Sequence, residues 1–234
     1  MARTIGADLI VVVPSRGRPE ALRELADAFD ATCTANTALA VSLDSTDTKQ
    51  DEYVDDRYAY RMVNPNESMV EALNVGVALA MGFEPGAYAV AFMGDDHRPR
   101  TKGWDTDYLD ALDDLGTGMV YGDDLFQGEK LPTQIAMTVD IVRAVGWMAP
   151  PALRHLYVDS SWLALGKAAD CIRYLPDVVV EHVHPAHPDG PKQAWDEGYK
   201  RVNSQAMYRR DGFNFERLRR TELPAAAEKI RRLR

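Results

Sequence analysis

The chain has little cysteine and no long apolar run. Two cysteines among 234 residues, Cys33 and Cys171, cannot build a disulfide framework and have no metal-type spacing, so a reducing cytoplasm is the expected location. No apolar stretch approaches the roughly 18–20 residues needed to span a bilayer. The longest, at residues 9–14, is strand-sized, and the N-terminal residues lack the apolar segment of a secretory signal. No membrane partner is therefore expected. Two glycine signatures are missing as well. Pro14-Ser15-Arg16-Gly17-Arg18-Pro19 stands where a dinucleotide fingerprint would follow the first apolar run, and no Walker loop occurs anywhere. Dinucleotide enzymes and P-loop hydrolases are accordingly disfavoured. What remains is ordinary in bulk: 46% hydrophobic and 27% charged residues, enough for one large domain or a domain with a tail.

Charge is divided unevenly. Residues 200–234 hold 11 Lys/Arg against 4 Asp/Glu, whereas the first 199 residues hold 16 against 32. An acidic body argues against non-specific nucleic-acid binding by the body itself. The basic tail, with Arg209-Arg210 and Arg219-Arg220, suits either an acidic partner or a solvated helix docked on the acidic body. Its many large apolar residues, among them Tyr199, Phe213, Phe215 and Leu218, distinguish it from a disordered arm. They predict a helical extension packed on the domain or on a second subunit of a homodimer.

Hydrophobic patterning gives the order of elements. Leu9-Ile10-Val11-Val12-Val13 has the form of a strand covered on both faces, and Pro19 suits the first turn of a following helix. Residues 38–43 and 58–63 read as further strands. Ser68 with Glu71 has the capping-box form, opening a helix whose apolar face runs from Val70 to Met81. Residues 88–93 form another buried strand, ending in Gly94-Asp95-Asp96-His97. This alternation predicts right-handed crossovers and a mostly parallel α/β sheet. Ligands of such sheets bind beyond the carboxyl ends of the strands, where Ser15-Arg16, Asp44 and Asp95-Asp96 converge. Short strands near 118–121 and 133–138, helices at 139–145 and 157–169, and an extended segment at 171–183 complete the body. No domain boundary is evident before about residue 190.

Asp95-Asp96 carries the sharpest chemical signal. Adjacent acids repel unless they are exposed, paired or bound to a cation, and Mg²⁺ or Mn²⁺ with substrate phosphates would satisfy them. Asp-Asp pairs also recur at 55–56, 113–114 and 123–124, so the pair alone reads better as an acidic loop, and it is the buried strand before it, with Pro99 and Trp104 after it, that sets this one apart. Asp159, near the start of its helix, reads as a cap. His182 and His184 read as strand histidines or ligands, Asn74 as a core amide, and Arg16 and Arg18 as loop charges or phosphate contacts.

The order of motifs resembles glycosyltransferase family 2, with its GT-A fold, over roughly residues 8–192. Val-Val-Val-Pro-Ser-Arg-Gly-Arg-Pro resembles the family's opening strand and nucleotide loop, and Leu43-Asp44-Ser45-Thr46-Asp47 its second-strand aspartate. Glu71-Ala72-Leu73-Asn74-Val75-Gly76 resembles the Asn-x-Gly helix. Gly94-Asp95-Asp96 with Gly103-Trp104 resembles the Asp-x-Asp strand end and the segment beyond it. The resemblance implies a nucleotide-binding half at about 8–104, an acceptor half at about 105–192, and a basic helical extension over 193–234. It implies that Pro14, Ser15, Arg16 and Asp44 hold the nucleoside, that Asn74 lies on the binding helix, and that Asp95 faces the ribose or assists the metal. Asp96 with His182 or His184 would hold Mn²⁺ or Mg²⁺, Lys192 would touch the diphosphate, and Asp159 would be the general base. Two departures stand out: Gly94 replaces the first acid of Asp-x-Asp, and Ser68 replaces a common arginine. The signature and membrane helices of processive synthases are missing, which favours transfer of one sugar from a nucleoside-diphosphate sugar to a hydroxyl of a soluble acceptor, with inversion. Small size without a membrane segment resembles enzymes of tailed bacteriophages, whose acceptors are virion proteins or modified DNA bases. Nucleotidyl transfer on the same scaffold and a non-catalytic sugar-nucleotide or glycan-binding relic are the alternatives.

Overall fold

The computed structural model describes residues 6–66, 68–187 and 197–234. The chain runs β1 (Leu9–Ser15), α1 (Pro19–Thr32), β2 (Thr37–Asp44), β3 (Tyr60–Asn64), α2 (Met69–Phe83), β4 (Ala89–Phe92), β5 (His97–Pro99) and α3 (Trp104–Leu115). It continues through β6 (Met119–Asp123), β7 (Ile135–Thr138), α4 (Val139–Val145), α5 (Val158–Ala169) and β8 (Ile172–His182), then α6 (Glu197–Val202), α7 (Gln205–Arg220) and α8 (Glu222–Arg231). The strand order is β3-β2-β1-β4-β7-β6-β8-β5. β1 pairs in parallel with β2 and β4, and β2 with β3. The first half is thus the expected parallel sheet, because each crossover helix carries an apolar face back across it.

The local signals act as their chemistry requires. Pro19 opens α1, and the Ser68 hydroxyl accepts the Glu71 amide at the head of α2. Alternate residues of the central strand β1 feed different cores. Ile10 and Val12 pack with Leu73, Val77 and Trp162, whereas Leu9, Val11 and Val13 pack with Leu22, Leu25 and Trp104. Burial on both faces is why β1 is a continuous apolar, largely β-branched run.

The second half departs from parallel pairing. β7 is antiparallel to β4 and β6, and β5 is antiparallel to β8. β8 first pairs in parallel with β6, then breaks register between Gly122 and Asp123, whose partners are Leu175 and Val179. A side chain at Gly122 would meet the Val178 carbonyl oxygen at 2.2 Å, so the bulge needs a glycine opposite it. Beyond the bulge, β8 swings onto β5 and sets His182 opposite His97.

The tail is helical, as its apolar residues imply. Leu218, Leu223, Ala226, Ala227 and Ile230 are buried in the same cluster as Trp162, Leu165 and the sheet residues Ile10 and Val90. No helix among the described residues is long and apolar enough to cross a membrane.

Candidate active site

The carboxyl ends of β1, β2 and β4 bring the expected polar residues to one edge. Ser15 is buried, and its hydroxyl donates to Asp95 Oδ2 at 2.6 Å. The loop after β1 is fixed by Tyr53, whose oxygen accepts the Arg18 amide at 2.8 Å, and by Asp47, which accepts the Gly17 amide at 2.7 Å. Pro14 is the partly exposed residue just before this loop. Arg16 is engaged with Asp44 in an ion pair and donates to the Thr46 hydroxyl at 2.8 Å. Asp44 Oδ1 accepts the Thr46 amide and hydroxyl, both at 2.8 Å. Burial pushes Asp44 up, but Thr46 and Arg16 outweigh it and hold the carboxyl below its ordinary value.

Asp95 and Asp96 lie in a tight turn after β4, and both are buried, at 6% and 8% exposure. The turn is stitched by Arg98, whose guanidinium donates to the carbonyls of Asp95 and His97, each at 2.7 Å. A side chain at Gly94 would stand 2.4 Å from Asp96 Oδ1. Gly94 therefore makes room for the folded-back carboxylate of Asp96. Burial and the neighbouring charge raise Asp95, against Arg18 and Ser15. Asp96 is also desolvated, yet His182 and His97 hold it well below the usual carboxylate range.

Asp96, His97 and His182 are the described residues grouped closely enough to hold a metal ion. His182 Nε2 stands 3.5 Å from Asp96 Oδ2, and adjacent ligands of an octahedral ion at about 2.1 Å stand roughly 3 Å apart. The other ring nitrogen of His182, Nδ1, is buried without a hydrogen bond. Its nearest carboxylate is Asp124, at 3.9 Å, in the position from which an outer carboxylate orients a ligating histidine. An imidazole flanked by Asp96 at Nε2 and by Asp124 at Nδ1 fits a divalent cation. His97 fits less well, because its Nδ1 already accepts the Gly94 amide at 2.9 Å. Its ring stacks on His182 with centroids 4.4 Å apart, making it a wall of the site.

His184 follows the end of β8, and its ring stands edge to face with that of His182, centroids 5.0 Å apart. β8 ends at His182, and the His184 amide turns back to the His182 carbonyl at 2.8 Å, so the alternation expected of a strand stops there. The His184 ring stacks on Phe126, its Nδ1 accepts the Ala186 amide, and it lies outside the cluster. Asn74 is committed to backbone: its Oδ1 accepts the Met148 and Ala149 amides, and its Nδ2 donates to the Ala149 carbonyl at 2.8 Å. It clamps α2 to the segment after α4. Lys192 lies outside the described residues, as does the boundary at 192–193.

Asp159 occupies the first turn of α5 without being its cap. That place belongs to Tyr157, which has φ of 63°, a conformation costly for a residue with a side chain. Asp159 Oδ1 accepts the Ser160 amide at 2.7 Å. Burial raises its carboxyl above the ordinary value, against Ser160 and the charge of His182. The strained approach to α5 is held from the tail. Asp211 of α7, fully buried, accepts the amides of Arg154, His155 and Leu156 at 2.9–3.3 Å. Phe215 stacks on the Tyr157 ring, and Asn214 donates to the Ala152 carbonyl. Tyr199 of α6 donates its phenol to Asp96, and its ring lies 4.0 Å from the Arg18 guanidinium carbon. His97, Asp124, Tyr199 and Asp211 were not legible as site residues, although His97 and Asp124 sit in or beside Asp-Asp pairs.

No protein-family model matches the chain, and no curated protein matches it. Solved structures do. TarS 1–349 of S. aureus in complex with UDP-GlcNAc superposes with a TM-score of 0.65 at 14% identity, over 96% of this chain and 70% of that one. The mannosyltransferase PcManGT of Pyrobaculum calidifontis, in complex with GDP-Man and Mn²⁺, gives 0.59 at 15% identity over 99% and 75%. Glucosyl-3-phosphoglycerate synthase of Mycobacterium tuberculosis, with Mg²⁺ and UDP, gives 0.55 at 15% identity over 88% and 80%. The chain spans 37% of the length of one TarS structure and 59% of that of a shorter one. Likeness at this level of identity establishes architecture, and by it the chain has the GT-A fold of nucleotide-diphospho-sugar transferases.

Proposed function

We propose that the protein is a metal-dependent, inverting glycosyltransferase that moves one sugar from a nucleoside-diphosphate sugar to an acceptor hydroxyl. The observation that carries this reading is the meeting of Asp96 and His182, 3.5 Å apart, at the carboxyl edge of the parallel strands, with Asp159 close enough for its charge to act on His182. The donor class is supported by the bound ligands of the three structural neighbours. Asp96 and His182 would hold Mn²⁺ or Mg²⁺, which when bound neutralises charge on the departing diphosphate. Residues 8–104 would carry the donor and residues 105–192 the acceptor.

Asp159 accepts the proton of the acceptor hydroxyl at a carboxylate oxygen. Its burial strengthens its hold on that proton, as a general base requires. The acceptor oxygen forms the new bond to the anomeric carbon while the bond to the diphosphate oxygen breaks, so one displacement inverts the centre. Ser15 and the loop at 14–18 bound the donor side, with Asp95 toward the ribose and Asp44 toward the base. A base that reaches Asp44 competes with Arg16. Asn74 acts by fixing the Met148–Ala149 segment, and Lys192 would reach the diphosphate. Assignment to family 2, to the enzymes of tailed phages, and to a protein, glycan or modified-DNA acceptor belongs to the same proposal and rests on motif order and tail charge, and a cytoplasmic location rests on cysteine usage.

The test is release of nucleoside diphosphate from a panel of UDP- and GDP-sugars with Mn²⁺. Turnover that disappears with chelator is expected. A folded protein that releases no diphosphate from any donor, with or without candidate acceptors, would refute the proposal.

A further inference from the structure

Among the residues of α6, Tyr199 alone is buried, at 6% exposure. It is buried in the candidate site, 103 residues from its hydrogen-bond partner. Its phenol donates to Asp96 Oδ2, the same oxygen that faces His182 Nε2 across 3.5 Å. An ion bridging those two ligands would have to share that oxygen with the phenol. The Tyr199 ring, in turn, covers Arg18, whose guanidinium also reaches Asp95 Oδ1 at 3.4 Å. Cation–aromatic contact is a modest interaction, and a phosphate offers a guanidinium shorter, charge-assisted hydrogen bonds. Arg16, the other cation of this loop, is committed to Asp44. Arg18 is therefore the loop cation placed between the acidic pair and whatever replaces the tyrosine ring.

We infer that Tyr199 is a placeholder for the donor: its phenol stands at the metal-binding edge of Asp96, its ring stands where a diphosphate would meet Arg18, and the tyrosine must leave before the donor and its metal are seated. The inference rests on the glycosyltransferase reading for the identity of metal and diphosphate. It adds two assignments, Arg18 as a diphosphate-binding residue and the C-terminal segment as a brake on donor binding. The charges favour such an arrangement. Two adjacent buried carboxylates need donors or cations around them, and the phenol supplies one when no ion is bound.

Two base-independent probes test this: Mn²⁺ alone, followed by the loss of its free-ion resonance, and inorganic pyrophosphate, followed by calorimetry at saturating Mn²⁺. Tyr199→Phe removes only the phenol and should bind Mn²⁺ about tenfold more tightly than the unmodified protein, since a hydrogen bond to a carboxylate no longer competes. Tyr199→Ala should also tighten pyrophosphate, and Arg18→Gln should weaken pyrophosphate about tenfold while leaving Mn²⁺ alone unaffected. Asp96→Asn should abolish Mn²⁺ binding in either background. If Mn²⁺ binds through Asp96 but equally well whether Tyr199 is present or replaced, the metal site stands and the placeholder is refuted. Loss of Mn²⁺ or pyrophosphate affinity in Tyr199→Ala, with an unchanged circular dichroism spectrum, makes the tyrosine a ligand-holding residue and also refutes it. Unchanged pyrophosphate affinity in Arg18→Gln removes Arg18 from the site. No Mn²⁺ binding by any of the proteins would overturn the metal reading and this inference together.

Discussion

Asp211→Ala is the substitution through which the tail's role can be measured. The carboxylate is fully buried and receives the amides of Arg154, His155 and Leu156. Removing it strands three backbone donors in a segment that must keep Tyr157 at positive φ. An unsatisfied buried donor costs about 1–3 kcal/mol. The three amides belong to partly exposed residues, so water recovers a share, and the expected loss is about 2–5 kcal/mol. At roughly 2–4 °C per kcal/mol for a chain of this size, Tm should fall by about 4–20 °C. Asp211→Asn keeps one acceptor oxygen and should lose less than half of that. Thermal melts followed by circular dichroism would measure both variants, and donor hydrolysis at a temperature where both are folded would report the effect on Asp159. A lower kcat with unchanged affinity for the nucleoside diphosphate is expected, since the displaced segment leads into α5 and not into the loop after β1. A melt for Asp211→Ala within about 2 °C of the unmodified protein would refute the claim that this carboxylate anchors the segment.

Three further outcomes are expected. Asp159→Asn should bind donor normally and lose transfer by about 10²–10⁴-fold; a folded variant with near-native turnover would remove Asp159 as the base. Asp96→Ala should abolish the metal dependence of nucleoside-diphosphate binding in calorimetry, and undiminished dependence would move the metal elsewhere. Because Asp159 must be deprotonated to act and burial raises its pKa, kcat should fall on acidification with an apparent pKa above the ordinary aspartate value near 3.8. A profile flat down to that value would contradict the assignment.

Much of the first half was legible in sequence because its signals are local. The apolar run at 9–13, Pro19, the Ser68 cap and the alternation of strand and helix each specify their own segment, and a parallel sheet then places every strand end on one edge. Ser15, Asp44, Asp95 and Asp96 were found by that rule. The order of elements gave a mostly parallel α/β sheet, and the GT-A architecture came from the resemblance carried by the motifs. Tertiary structure alone decided the rest, for reasons of distance along the chain. His182 reaches Asp96 because β8 breaks register opposite Gly122 and crosses to β5, a bend that no window of residues around 182 encodes. Asn74 is spent on a backbone 74 residues away, and its chemistry could not be told from that of a ligand contact by spacing. The tail was legible as apolar and helical, since amphipathicity is periodic. That it inserts Asp211 beneath the segment leading to Asp159, and Tyr199 against Asp96, depends on how α6 and α7 dock. Local sequence sets which faces are apolar; which buried polar group meets which partner is fixed only when those faces close.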